Sequence, residues 1–372
     1  MNQNIISVRA KIICFVTSAI IAYFLLLTIS PKKNIDFNDA ATFGAKTTTT
    51  RALEMGLPIQ CSDSADALEC INTINSRKSL AVTLWLGNSQ LHAINQYQPG
   101  ELNSTNTLST LLKKNNVDLI TFSEPNANLQ EQLILFNYIR TRLPIKVLIL
   151  PLVFDDTRED DIRSGISSLT IEGDVKANLS NSQIGKILLK KSNETSSDDN
   201  NGLNGSLQAE VEKALNNFLI QHSKLWSFRD ETRGLVFTYL YNLRNFVFDI
   251  KPSTKRKRIL GPYKANMESL SKILSDANEA KIKTILYIAP ILQGTEIPYD
   301  IDEYNTFKFE AYELAREKGV QLIDLESIVP TESWGLKDST SIGLDSEIDY
   351  MHFRSSGHKI LATKLHELII NK

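Results

Sequence analysis

A chain of 372 residues with 42% hydrophobic and 23% charged content is long enough for one large α/β domain with embellishments and is not disordered in bulk. A formal net charge of −2 leaves no basic footprint, which sets aside the nucleic-acid-binding class. The one dense basic cluster, Lys255-Arg256-Lys257-Arg258, reads as a solvated loop between helices, with contact to an anionic headgroup or glycan as the other reading.

Ile12 to Ile29 is an apolar stretch without a charged residue, close to the ~20 residues needed to cross a bilayer core. Arg9 and Lys11 precede it, Lys32 and Lys33 follow, and Ile29-Ser30-Pro31 offers no small-residue cleavage site. Residues 1–33 are therefore expected to be an uncleaved membrane anchor. The flanking charges balance, so they do not set its orientation. Asn34 to Thr50 is polar, ends in a run of four threonines, and suits a tether. Residues 34–77 then read as linker and helical preamble. Cys61 and Cys70 bracket a short loop there: a disulfide closes it if the domain is exported, and in a reducing compartment both remain thiols. The apolar stretch favours export.

Residues 78–372 are expected to form the main domain. Ala81-Val82-Thr83-Leu84-Trp85-Leu86 reads as a buried strand, broken by Gly87 where a polar helix start, Asn88-Ser89-Gln90, begins. A serine there sits where ligands of open α/β sheets bind, beside N–H groups able to stabilise an oxyanion. Further strands are expected at Val117–Ser123, Ile145–Val153, Lys283–Ala289 and Val320–Leu325, with helices at Leu129–Arg142, Lys264–Ala280 and Glu303–Lys318. That alternation predicts an α/β fold, a flavodoxin-like three-layer α/β/α sandwich around a parallel sheet of about five strands.

The interval 160–258 breaks the alternation and reads as a helical insertion. It holds a polar loop, Ser192 to Gly202, and an aromatic stripe, Phe218, Leu225, Trp226, Phe237, Tyr239, Tyr241 and Phe246, expected in a core.

Near the other end, Asp349-Tyr350-Met351-His352 precedes Gly357-His358 and the helical pattern Ile360-Leu361-Ala362-Leu365-Ile369. An aspartate three residues before a histidine lets the carboxylate hold the imidazole while the other ring nitrogen faces a site. A serine hydroxyl needs such a base to act as nucleophile. Ser89, His352 and Asp349 are thus a candidate triad; the competing reading makes Ser89 a helix cap and Asp349-x-x-His352 a structural turn. His92, one helical turn from Ser89, ranks below His352. No His-x-x-x-His or carboxylate cluster calls for a metal, and no cofactor is implied.

Gly87-Asn88-Ser89 early and Asp349-x-x-His352 late resembles the SGNH, or GDSL-like, hydrolase superfamily, from about Leu84 to the C-terminus, with Gly-Asn-Ser where Gly-Asp-Ser is usual. It looks closest to membrane-anchored envelope members such as the D-alanyl-lipoteichoic-acid biosynthesis protein and the alginate O-acetyltransferases. The resemblance implies a serine acyl-ester enzyme, an O-acyltransferase acting on an envelope polysaccharide. Alternatives are an esterase or deacetylase using water, and a catalytically silent scaffold for polysaccharide assembly. It further implies an extracytoplasmic domain and an acyl-transporting membrane partner. The family's oxyanion donors are the serine N–H, a glycine after the second strand and an asparagine after the third. Here the second-strand loop offers the Asn126 N–H or the Asn128 amide instead. The third-strand loop reads Asp155-Asp156-Thr157-Arg158 where Gly-x-Asn is expected, leaving these charged residues to pair structurally or orient the acceptor.

Overall fold

The computed structural model describes residues 46–200, 240, 242–248, 253–337 and 346–371. One unit, Thr42–Gly202 with Asn245–Lys372, carries the sheet; a second, Met1–Ala41 with Leu203–Arg244, lies almost wholly outside the described residues. The expected anchor at 1–33 lies outside them too, as does the aromatic stripe apart from Phe246. No helix among the described residues is long and apolar enough to cross a membrane.

Four short strands come first: β1 (Thr47–Thr49), β2 (Leu53–Glu54), β3 (Leu57–Pro58) and β4 (Gln60–Cys61). Helix α1 (Ser64–Ser76) starts at a capping box, in which the Asp63 side chain caps the first turn and Asp66 accepts from the Asp63 N–H. β5 (Val82–Asn88), a 3-10 turn (Ser89–Leu91), β6 (Ala93–Asn95), α2 (Ser104–Lys113), β7 (Asp118–Glu124), α3 (Leu129–Arg140) and β8 (Ile145–Leu152) follow. The insertion contributes α4 (Ser164–Ser167), α5 (Gly173–Ser180) and α6 (Gln183–Asn200). The chain returns through α7 (Leu260–Glu279), β9 (Lys283–Ile288), α8 (Ile301–Glu317), β10 (Leu322–Asp324), β11 (Trp334–Lys337), β12 (Glu347–Phe353) and α9 (Ser355–Ile370).

The main sheet has six strands in the order β10-β9-β8-β5-β7-β4, and every pairing is parallel. Without β4, this is the doubly wound order 2-1-3-4-5. All seven residues of β5 are buried, as a strand covered on both faces requires. Right-handed crossovers put α2 on one face and α1, α3, α7 and α8 on the other. The packing agrees: α9 lies against α2, and α7 against α3. Trp85, Leu84, Leu86, Phe122 and Tyr287 are fully buried at the centre, each large apolar side chain contributing about 1.5–3 kcal/mol on transfer from water.

Four expectations are corrected. The main domain begins well before residue 78, because β4 pairs with β7 through Gln60–Thr121 and Cys61–Phe122 and adds a sixth strand to the sheet. The threonine run is not all tether, since Thr47–Thr49 pairs antiparallel with β6. The polar stretch from Ser192 is helical as far as Asn200, where serines and acidic residues continue α6. Phe246, expected in a core, is 60% exposed.

Candidate active site

Strand order reverses beside β5, the strand with β7 on one side and β8 on the other. In doubly wound sheets a crevice opens at the carboxyl ends of the strands at that switch point. Ser89 stands there, the first residue after β5. Gly87 leaves room at the turn: a Cβ on it would lie 2.8 Å from both Leu91 methyls and 3.2 Å from Pro151 Cγ, so the Leu91 side chain fills the space that a larger residue would take. Asn88 then caps the turn, its Oδ1 accepting from the Gln90 N–H at 3.0 Å, while its Nδ2 donates to Asp156 Oδ2 at 2.8 Å. Gln90 reaches across the site, donating from Nε2 to the Pro290 carbonyl at 2.8 Å and the Met351 carbonyl at 2.9 Å. The serine turn and the histidine strand are therefore tied directly to each other.

His352 lies on β12, which pairs antiparallel with β11. Its Nε2 is 3.0 Å from Ser89 Oγ, and its Nδ1 is 3.1 Å from Asp349 Oδ2 and 3.2 Å from Oδ1. With the Asp349 carboxylate accepting from the Nδ1–H, Nε2 is left as the acceptor for the serine hydroxyl. Asp349 Oδ1 also accepts the backbone N–H groups of Met351 and His352 at 3.0 Å each, and Asn95 Nδ2 donates to Oδ2 at 3.3 Å. Burial opposes the Asp349 charge, but the His352 ring, these hydrogen bonds and Lys337 hold its carboxyl well below the usual carboxylate range. Ser89, Asp349 and His352 are all buried, at 6%, 2% and 5% exposure.

A pocket of about 120 Å³ opens over Ser89 and His352, with Asn88, Asn126, Asp155, Asp156, Arg256 and Lys337 among its walls. Asn126 has a left-handed backbone, φ 55°, in the turn closed by Ala127 N–H to the Glu124 carbonyl at 3.1 Å. Asparagine is among the few side chains that tolerate that conformation. The Asn126 N–H has no acceptor among the described residues.

Asn128 is corrected. It caps α3, accepting from the Glu131 N–H at 3.0 Å, and its amide donates to the Asp161 carbonyl at 2.8 Å, so it is committed away from the pocket. Its spacing three residues ahead of Glu131 is that of a helix cap. Cys61 and Cys70 form a disulfide between β4 and α1. Asp155 pairs with Arg158 at 3.2 Å, contacts Arg256, and accepts from the Tyr299 hydroxyl at 3.2 Å.

His92 and His358 are structural. Ser123 Oγ accepts from Gln60 Nε2 at 3.2 Å and is hydrogen-bonded to His92 Nδ1 at 2.8 Å. Burial, with the nearby His352 ring, pushes His92 from 6.5 down to about 3. His358 docks α9: its Nδ1 accepts from Ser104 N–H at 3.1 Å and Oγ at 2.7 Å, and its Nε2 donates to the Ala93 carbonyl at 3.2 Å. Burial lowers it to about 3 as well. Sequence reasoning missed Gln90, Asn95, Arg256 and Lys337 as parts of the site. Only Gln90, next to the serine, carried a positional signal.

Comparison with known protein families and with curated proteins returns no match. Among solved structures, the chain is similar to one described as an acylhydrolase of Bacteroides fragilis, at 11% identity over 77% of this chain and 86% of that one, with a TM-score of 0.34. It is also similar to one described as a GDSL-like lipase of Parabacteroides merdae, at 11% identity over 77% of this chain and 94% of that one, with a TM-score of 0.37.

Proposed function

We propose that the chain is an SGNH-type serine acyl-ester enzyme with Ser89 as nucleophile, His352 as general base and acid, and Asp349 as the carboxylate that orients the ring. The observation that carries this reading is the unbroken hydrogen-bonded series from the Asp349 carboxylate through His352 to Ser89 Oγ. As Ser89 Oγ attacks the acyl carbonyl, its proton passes to His352 Nε2, and the buried Asp349 carboxylate stabilises the resulting imidazolium. The carbonyl oxygen becomes an oxyanion, facing the Ser89 and Asn126 N–H groups. Collapse breaks the ester C–O bond, the leaving alkoxide takes the proton from His352, and Ser89 keeps the acyl group. The oxygen of a second hydroxyl, of water or of an acceptor, then bonds to the acyl carbon as its proton passes to His352, and collapse breaks the bond to Ser89 Oγ, which takes that proton back.

For the acceptor we favour a sugar hydroxyl of an envelope polysaccharide, with residues 1–33 as anchor, the domain outside the cytoplasm and a membrane protein supplying the acyl donor. The sequence resemblance supports this, as does the Cys61–Cys70 disulfide, which suits an oxidising compartment. The pocket wall of amides, carboxyls and cations suits a hydroxyl-rich partner better than a long acyl chain. Hydrolysis, with water as acceptor, uses the same residues and is the second reading. A fluorophosphonate probe tests the nucleophile: labelling of Ser89 in the folded whole chain, lost in Ser89→Ala, is expected. An unlabelled Ser89 would leave only the scaffold reading. Mass spectrometry of products with and without a glycan acceptor then separates transfer from hydrolysis.

A further inference from the structure

Of the two pocket carboxyls outside the triad, Asp155 is paired with arginines and Asp156 is not. Asp156 lies in the 3-10 turn Asp155–Arg158 that follows β8, and is 4% exposed. Its Oδ2 accepts from the amide of Asn88, the residue bonded to Ser89. Among the described residues its Oδ1 has no hydrogen-bond partner, and the residue lines the pocket over Ser89.

A buried carboxylate ordinarily has a cation against it. Asp156 does not: Arg158 and Arg256 are on Asp155, and Arg163 is on Glu131. Asp155 and Glu159 disfavour the ionisation of Asp156 and Arg163 favours it, while Arg256, Lys337, Asp349 and His352 line the same pocket. Burial dominates and pushes its carboxyl well above the ordinary range, against the pull of the Asn88 amide.

We infer that Asp156 is a catalytic residue held as the neutral acid, donating its O–H to the oxyanion that forms on the acyl group at Ser89. A carboxylic acid has one donor hydrogen. Asn88 occupies Oδ2 as a donor, so the hydrogen resides on Oδ1, the oxygen without a protein partner. An ionised carboxyl there would repel the developing negative charge, whereas the neutral acid stabilises it in a site shielded from water. The hydrogen stays on Asp156 throughout, and only the hydrogen bond strengthens as charge builds. The inference rests on the reading of Ser89 as nucleophile.

The test uses the whole chain. Infrared difference spectra of wild type minus Asp156→Asn at neutral pH should show the carbonyl band of a protonated acid, vanishing on alkalinisation. With a p-nitrophenyl ester, wild-type kcat should fall over the same alkaline range. Asp156→Asn, an amide that donates at any pH, should keep kcat within about tenfold and lose that alkaline fall. Asp156→Leu should lose on the order of a hundred- to a thousandfold in kcat, the cost of one oxyanion donor, with KM little changed. An ionised Asp156 at neutral pH, or an alkaline fall that persists in Asp156→Asn, would overturn the inference while Ser89 labelling left the triad reading intact. Absent labelling of wild-type Ser89 would overturn both.

Discussion

Acidification should expose how His92 is used. His92 is 5% exposed, hydrogen-bonded to Ser123 Oγ, and held at about 3 instead of 6.5. The unfolded chain therefore takes up a proton below about pH 6.5 that the folded chain refuses, so this site's contribution falls as pH falls from 6.5 towards 3. The slope approaches about 1.4 kcal/mol per pH unit, or about 2.7 kcal/mol by about pH 4.5. Asparagine at position 92 keeps a hydrogen-bond partner for Ser123 and does not titrate. His92→Asn should be less stable than wild type at about pH 7.5, by about 1–2 kcal/mol for lost packing. That deficit should shrink steadily below pH 6.5 and reverse near about pH 5. Urea unfolding of both proteins, followed by fluorescence of the buried Trp85 and Trp334, gives the difference directly. Asp156 and Glu131, whose raised values give the opposite slope, are common to both proteins and cancel. A difference that stays constant from about pH 7.5 to about pH 4.5 would refute a neutral buried His92.

Gly87→Ala forces a Cβ against Leu91 and Pro151; a loss of about 1–3 kcal/mol in urea unfolding and a larger fractional loss of esterase activity are expected, because the turn that carries Ser89 must shift. Cys61→Ser opens the loop closed between Cys61 and Cys70; the chain-entropy account of so short a loop gives a loss of about 2–3 kcal/mol in oxidised protein, and thiol reductant should produce a similar loss in wild type. Gln90→Leu strips the Pro290 and Met351 carbonyls of their donor in a buried site; a loss of about 1–3 kcal/mol is expected, with kcat falling more than KM rises, since Met351 adjoins His352.

The parts of the site legible in the sequence were those with fixed local spacing. Asp349 and His352 meet because three residues on one strand end bring carboxylate and ring together, and Gly87 marks the end of an apolar run. Asn126 was legible for the same reason, as a side chain suited to a left-handed turn. What escaped were contacts across the fold. Gln90 touches Pro290 and Met351, some two hundred residues and more away, and Asn95 reaches Asp349; neither pairing leaves a periodic trace. Asn128 escapes because an asparagine ahead of a helix serves equally as cap or as site donor, and only the distant Asp161 carbonyl that its amide meets decides which. β4 escaped because two residues cannot display alternation, and its place in the sheet is set by β7 and the disulfide. The polar tail of α6 reads as a loop on composition alone, yet the helix runs on to Asn200.

The two margins of the main sheet are its shortest members: β4 has two residues and β10 three. Exposed backbone at a long rim is a template on which another polypeptide can add itself, the usual route to fibrils and swapped assemblies. Here Cys61 is bolted to α1 at one rim, and the other offers room for barely one pair of hydrogen bonds. Partly opened molecules should therefore resist stacking side by side through either rim.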